Sequence, residues 1–195
     1  MAEFTTLLRE DGERIAYMAR TGASPGILWL GGFKSEMTAT KASALDAWAE
    51  RTGHAFVRFD YFGHGRSSGE FREGTITRWC GDVLAVLDQV TSGPQILVGS
   101  SMGGYLALLA ARMRPERIAA LLPIAPAADF TEALLWAGMQ DSDVPWQHAF
   151  RLFRAISSEA SLTLVRDGDH RLSTPSDILR MEHVLDALVA QGAAR

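Results

Sequence analysis

The segment Gln95-Ile-Leu-Val-Gly99-Ser100-Ser101-Met102-Gly103-Gly104 constrains this chain more than any other. Its first half is an apolar run suited to a strand. Its second half opens a helical stretch that runs to about Met113. Between them lies Gly-x-Ser-x-Gly, centred on Ser101. Ser100 does not fit that register, because Val98 and Met102 would stand at the glycine positions. A sharp strand-to-helix turn of this kind lifts the serine oxygen clear of a sheet. Small residues at 99 and 103 let strand and helix approach closely. Alone, the pattern also describes an ordinary glycine turn, and its setting between strand and helix makes Ser101 the candidate nucleophile. The Met102 N–H, at the helix start, would face a developing oxyanion. Two rival glycine chemistries fail. A phosphate-binding loop needs Lys-Ser/Thr after its glycines, and a dinucleotide fingerprint needs glycine where Ser101 stands.

The rest of the chain alternates in the same way. Phe4–Leu8 and Ile15–Arg20 flank Asp11-Gly12, a hairpin signal. Thr21–Gly26 reads as a loop, and Ile27–Leu30 as a strand buried on both faces and ending at Gly31-Gly32. Thr40–Arg51 carries Ala42, Leu45, Trp48 and Ala49 at helical spacing, with Gly53 as its stop. Ala55–Phe59 reads as a strand, and 61–74 as a loop with glycines at 63, 65, 69 and 74. Thr75–Val90 is the clearest helix, with Ile76, Trp79, Cys80, Val83, Leu84, Leu87 and Val90 in one stripe. Ile118–Ala125 follows as a buried strand. Trp146–Ile156 reads as a helix with Trp146, Ala149, Phe150, Phe153 and Ile156 on one face. Ser161–Val165 then reads as a strand and Ser176–Ala190 as a terminal helix. Alternating strands and helices predict a mainly parallel sheet covered on both faces, in one α/β domain over residues 1–195, with binding at the carboxyl ends of the strands.

Composition narrows the partners. A net charge of −4 with no sustained basic stripe argues against nucleic acid. The single Cys80 excludes an intrachain disulfide and a cysteine-clustered metal site. The longest apolar run, Ile118–Ala128, holds two prolines and falls short of the roughly 20 residues a spanning helix needs. Glu3, Arg9, Glu10 and Asp11 leave no apolar signal-peptide core. A reducing compartment is expected, most simply the cytoplasm.

A serine nucleophile needs a base, and the base an orienting acid. Of histidines 54, 64, 148, 170 and 183, His170 follows the strand Ser161–Val165 in Asp167-Gly168-Asp169-His170, on the rim where Ser101 is expected. It also comes late, as the order serine, acid, histidine requires. His54 and His183 read as surface residues, while His64 and His148 have positions from which a pocket could be lined. Asp141, with Asp143 beside it, and Asp129 are candidates for the acid. Asp141 and Asp143 could equally cap the helix near Trp146. The loop Gly31-Gly32-Phe33 fits a second oxyanion donor, the Phe33 N–H, and equally a tight glycine turn.

Together these residues resemble the α/β-hydrolase superfamily. Asp60-Tyr-Phe-Gly63-His-Gly65-Arg-Ser67 is similar to its Asp-x-x-Gly-x-Gly-x-Ser turn, in which the aspartate is structural. Gly138, Asp141, Val144 and Pro145 resemble its Gly-x-x-Asp-x-x-Val-Pro segment, which places the acid at Asp141. Arg58-Phe-Asp-Tyr61, Gly93–Ser101 and Asp169-His170-Arg171 resemble more narrowly a subgroup of acyl-protein thioesterases and acyl-glucuronide esterases, mitochondrial and bacterial. The resemblance implies hydrolysis of a small-molecule acyl ester or thioester by Ser101, Asp141 and His170, without metal or organic cofactor. The alternatives are a catalytically impaired binding or scaffold protein on the same fold, and a perhydrolase using the same triad.

One departure stands out. The family places a cap and a further buried strand before the acid, whereas here only Pro126–Gln140 is available. If Leu134–Ala137 is that strand, the connection is shorter than the about 10–12 residues of an ordinary parallel crossover. Leu134-Leu135-Trp136 could be a strand, a helical turn, or a segment that pairs with another subunit in a homo-oligomer.

Overall fold

The computed structural model describes residues 4–125, 134–155 and 161–192. The first hairpin pairs β1 (Thr5–Leu8) with β2 (Arg14–Arg20) antiparallel, and Gly12 takes the left-handed conformation in its turn. β3 (Ala23–Leu30) begins earlier than expected, within the segment read as loop. Ala23 already pairs with His54 before the register shifts ahead of Ile27. Then come α1 (Thr40–Thr52), β4 (His54–Phe59), α2 (Ile76–Gln89), β5 (Gln95–Ser100) and α3 (Met102–Met113). The chain continues through β6 (Ile118–Ile124), β7 (Leu134–Gly138), α4 (Trp146–Ala155), β8 (Ser161–Val165) and α5 (Pro175–Gly192).

One eight-stranded sheet runs in the order β1-β2-β4-β3-β5-β6-β7-β8. From β4 through β8 every pairing is parallel. β3 and β5 sit in the middle, and their alternating side chains divide the core. Leu28, Leu30 and Leu97 pack with Val83 and Leu87 of α2 and Leu106 of α3 on one face. Ile27, Trp29, Ile96 and Val98 pack with Leu45 and Trp48 of α1 and Leu185 of α5 on the other. The continuous apolar run therefore means burial on both faces.

Local signals act where expected. The Thr75 hydroxyl accepts from Arg78 N–H at 3.1 Å and caps α2. Gly53 ends α1 in the left-handed conformation, its N–H on the Ala49 carbonyl. Two helical stripes are trimmed. Ile76 of α2 and Phe150 of α4 are exposed, while Ala149 is buried. Val86 and Asp82 of α2 are buried instead, Asp82 accepting from the Phe62 N–H and pairing with Arg9.

The short segment before the acid does contain a strand. β7 joins β6 through the single pair Ile124–Trp136, and joins β8 through five pairs from Leu134–Ser161 to Gly138–Val165. Of the three options for Leu134-Leu135-Trp136, the strand within the same sheet is the one adopted. Its anchorage comes mainly from β8, the strand that also leads to His170.

Candidate active site

Ser101 stands between β5 and α3 with φ 52°, a left-handed value that side chains avoid. The turn survives because its neighbours have no side chains. A β-carbon on Gly99 would lie 2.3 Å from the Gly103 carbonyl oxygen, and one on Gly103 would lie 2.1 Å from that of Leu30. The Ser101 N–H donates to Ile124 O at 2.8 Å, which ties the elbow to the end of β6. Met102 is the first residue of α3, where an amide has no acceptor within the helix.

His170 lies on the loop after β8. Its Nδ1 is 2.8 Å from Asp141 Oδ2, and its Nε2 is 3.2 Å from Ser101 Oγ. The aspartate can only accept, so Nδ1 carries the proton and Nε2 is left to accept from the serine hydroxyl. The Asp141 side chain is fully buried. Its second oxygen, Oδ1, accepts the Asp143 and Val144 N–H groups, both at 2.8 Å. Asp141 therefore organises the turn before α4 with one oxygen, without bonding an amide of the helix itself, and faces His170 with the other. Asp143 is exposed and supplies only its backbone to this turn, and its side chain borders the cleft. Asp129 lies outside the described residues.

The loop of Asp141 and the loop of His170 are fastened to one another. Met139 N–H donates to Val165 O at 2.8 Å, and Gln140 N–H to Gly168 O at 2.9 Å. Lys41 Nζ, from the first turn of α1, donates to the Arg171 carbonyl. Lys41 is buried, and that burial lowers its pKa to about 8, with Asp169 and Asp177 pulling the other way. Lys41 did not stand out in the sequence, and Gly138 and Gly168 entered only as members of the segments around Asp141 and His170. Gly138 directly follows the apolar Leu134–Ala137, and Gly168 comes three residues after the strand ending at Val165, which was the available signal.

The loop after β3 closes the other side. Gly32 runs against the elbow, where a β-carbon would lie 3.3 Å from Ser100 O and 3.7 Å from Ser101 Cβ. Phe33 is exposed and shares with Ser101 and His170 a cleft of about 770 Å³. The Tyr61 hydroxyl donates to Gly31 O at 3.2 Å. Burial, reinforced by Asp82 and Cys80, pushes its pKa well above the ordinary phenol value, so it stays a donor.

The other histidines are placed differently. His64 is buried behind the loop rather than lining the cleft. His54 is half-buried, stacked on Trp48 at 5.6 Å, and not a plain surface residue. His183 is exposed, and the His148 side chain lies outside the described residues. Asp141, Asp143 and His170 also bring ligand atoms within 4.8 Å, as a cation site would. A metal there would compete for Nδ1 and Oδ2, which already bond each other. No helix among the described residues is long and apolar enough to cross a membrane.

The model of the serine aminopeptidase S33 family matches residues 27–192. The palmitoyl-protein thioesterase ABHD10, mitochondrial, of Mus musculus is 33% identical over 246 aligned residues, 96% of this chain and 83% of the relative. Its Homo sapiens counterpart is 32% identical over 94% of this chain and 79% of the relative. The 246 aligned positions exceed the 195 residues of this chain, so the relative carries residues within that span that this chain lacks. Among solved structures, the alpha/beta hydrolase domain-containing protein 10 from mouse superposes with TM-score 0.93 at 33% identity, covering 97% of this chain and 99% of the other. A putative hydrolase from Agrobacterium vitis S4 gives 0.88 at 34%, covering 95% and 98%. With a family model over most of its length and relatives above 30% identity, the chain belongs to the serine aminopeptidase S33 family of α/β hydrolases.

Proposed function

We propose that the chain, as one α/β domain over residues 1–195, is a serine hydrolase that cleaves carboxylic esters or thioesters through an acyl-enzyme. The observation that carries this reading is His170 standing between Asp141 at 2.8 Å and Ser101 at 3.2 Å. The thioesterase name of its relatives supports the same reaction class.

Ser101 Oγ attacks the acyl carbonyl and passes its proton to His170 Nε2. Asp141 holds the imidazole in the required tautomer and stabilises the imidazolium. The Phe33 and Met102 N–H groups receive the oxyanion. His170 then protonates the departing alcohol or thiol oxygen or sulfur. Water, deprotonated by the same nitrogen, attacks the acyl-serine and releases the acid. All of these groups belong to the chain itself.

A fluorophosphonate probe will label the wild-type protein at Ser101 and abolish ester turnover. Equal labelling of Ser101→Ala would overturn the assignment, and absence of labelling and turnover in the folded wild type would favour the scaffold alternative. We further assign the chain to the cytoplasm. The free Cys80 is compatible with a reducing compartment, whereas the names of the relatives place them in mitochondria. Imaging of the tagged protein in its own cell decides between the two addresses.

A further inference from the structure

The loop that carries Phe33 is a tight turn. Ser35 N–H donates to Gly32 O at 3.0 Å, closing the four residues Gly32-Phe33-Lys34-Ser35. Lys34 occupies the third position with φ 57°, a conformation that such turns ordinarily reserve for glycine or asparagine. Holding a lysine there costs about 1–3 kcal/mol, so surrounding contacts must enforce it.

The enforcing contacts come from the segment after β4. Lys34 N–H lies 3.3 Å from His64 Nε2. His64 Nδ1 lies 3.1 Å from the Phe62 carbonyl oxygen. A carbonyl only accepts and an amide N–H only donates, so the two partners together define one ring state, with hydrogen on Nδ1 and a lone pair on Nε2. The ring is buried and packed edge-on against Tyr61, Phe71 and Trp79, at centroid distances of 5.6, 5.1 and 5.4 Å. It has little freedom to leave that position.

Consider the peptide units in order. The Gly31 carbonyl, in the first, is held by the Tyr61 hydroxyl. The Gly32 carbonyl, in the second, accepts from Ser35, so the Phe33 N–H on the same planar unit points the opposite way, out of the turn. The Lys34 N–H, in the third, is held by His64. The orientation of this third, central unit is what distinguishes a turn with positive φ at its third residue from one without.

We propose that His64 is a positioning residue of the oxyanion site: its Nε2 lone pair holds the central peptide of the 32–35 turn and thereby aims the Phe33 N–H at the reacting carbonyl. This rests on the reading of Phe33 as an oxyanion donor. His64 touches neither substrate nor Ser101. Its effect falls on the charged intermediate and not on the bound ester, so it should appear in kcat and leave KM unchanged.

Two substitutions separate its bonds. The shorter amide of His64→Asn can keep a donor toward Phe62 O but cannot reach Lys34. The longer amide of His64→Gln can present its oxygen to Lys34 N–H. With an activated ester, His64→Asn should lose about tenfold or more in kcat at unchanged KM, while His64→Gln stays within about threefold of wild type. Affinity for a boronic acid that forms a tetrahedral adduct on Ser101 should weaken in His64→Asn by a similar factor. Equal kcat in the two variants, or a change confined to KM, overturns the proposal. Where a variant does not fold, nitrogen NMR of the wild type provides the test. A protonated Nε2 at neutral pH would deny Lys34 its acceptor and overturn the proposal, and an unprotonated Nε2 supports it. Turnover and Ser101 labelling in the wild type are scored separately, so failure here leaves the serine hydrolase reading intact.

Discussion

Gly138 and Gly168 meet backbone to backbone, so closely that a β-carbon on Gly138 would lie 2.3 Å from the Gly168 carbonyl oxygen. One glycine ends β7 and leads to Asp141. The other follows β8 and leads to His170. Their contact, with the bond from Gln140 N–H to Gly168 O, fixes the two loops that bring Asp141 within 2.8 Å of His170. A strand holding only one pair with β6 can thus still place the Asp141 carboxylate beside His170, because the reference it needs is the neighbouring loop.

Gly138→Ala should therefore damage activity more than stability. The methyl group has only backbone to displace, which costs about 1–3 kcal/mol, as overpacking does. The resulting shift of Asp141 against His170 should lower kcat by about 10- to 100-fold. Thermal unfolding and ester turnover measured together check this. A variant with a lower melting temperature and unchanged kcat would show that the glycine contact supports the fold and does not set the geometry.

Asp141→Asn tests the acid directly. The asparagine oxygen can keep the Asp143 and Val144 amides, so the turn survives. Its amide nitrogen would then face His170 Nδ1 and force the wrong tautomer. A loss of about 10³–10⁴-fold in kcat is expected. Asp129→Asn should keep nearly full activity, and the reverse pattern would move the acid to Asp129.

The sheet, the serine elbow and the histidine were legible because each leaves a local mark. The Ile27–Leu30 run marks a strand buried on both faces, and glycine flanking Ser101 marks a strand-to-helix turn. From the residues alone Asp141 was one of several acids, and only the resemblance of Gly138, Asp141, Val144 and Pro145 to the family's segment singled it out, since its burial and its contact with His170 depend on β7 meeting β8. That pairing is long-range, and the 15 residues from Pro126 to Gln140 gave no periodic signal for it. His64 carried the same limitation. Its role lies in a bond to a backbone amide 30 residues away, on a loop whose turn type depends on that bond.

Lys41 gives a pH-dependent prediction. Burial lowers the pKa of folded Lys41 to about 8, whereas in the unfolded chain the amine keeps its ordinary value of about 10.5. Between those limits the unfolded state binds more protons, so stability from this group rises as pH rises. Its buried charge therefore costs most below pH 8, by at most about 3 kcal/mol. Lys41→Met removes that cost, and its stability relative to wild type should be greatest near pH 7 and decline as pH climbs toward 10. Its kcat should nevertheless fall, because the Arg171 carbonyl beside His170 loses its donor. Chemical unfolding at both pH values provides the check, and a stability difference that grows with pH would refute the direction.

The cleft gives the last prediction. Each methylene taken from water into an apolar site contributes about 0.8 kcal/mol, so preference for a long acyl chain requires a long apolar wall. Here the cleft of about 770 Å³ takes apolar side chains from Trp29, Phe33 and Ala39, while Lys34, Glu36, Thr38 and Arg171 are among the polar residues that border it. Esters from acetyl to butyryl should be hydrolysed with similar kcat/KM. Lauroyl and palmitoyl esters should gain little from their extra methylenes, because most of the tail would remain in solvent. A series of matched nitrophenyl esters and acyl thioesters measures this slope. A steep rise with chain length would refute this reading of the cleft, and strict selection of palmitoyl would place this chain with the thioesterase specificity that its relatives' names carry.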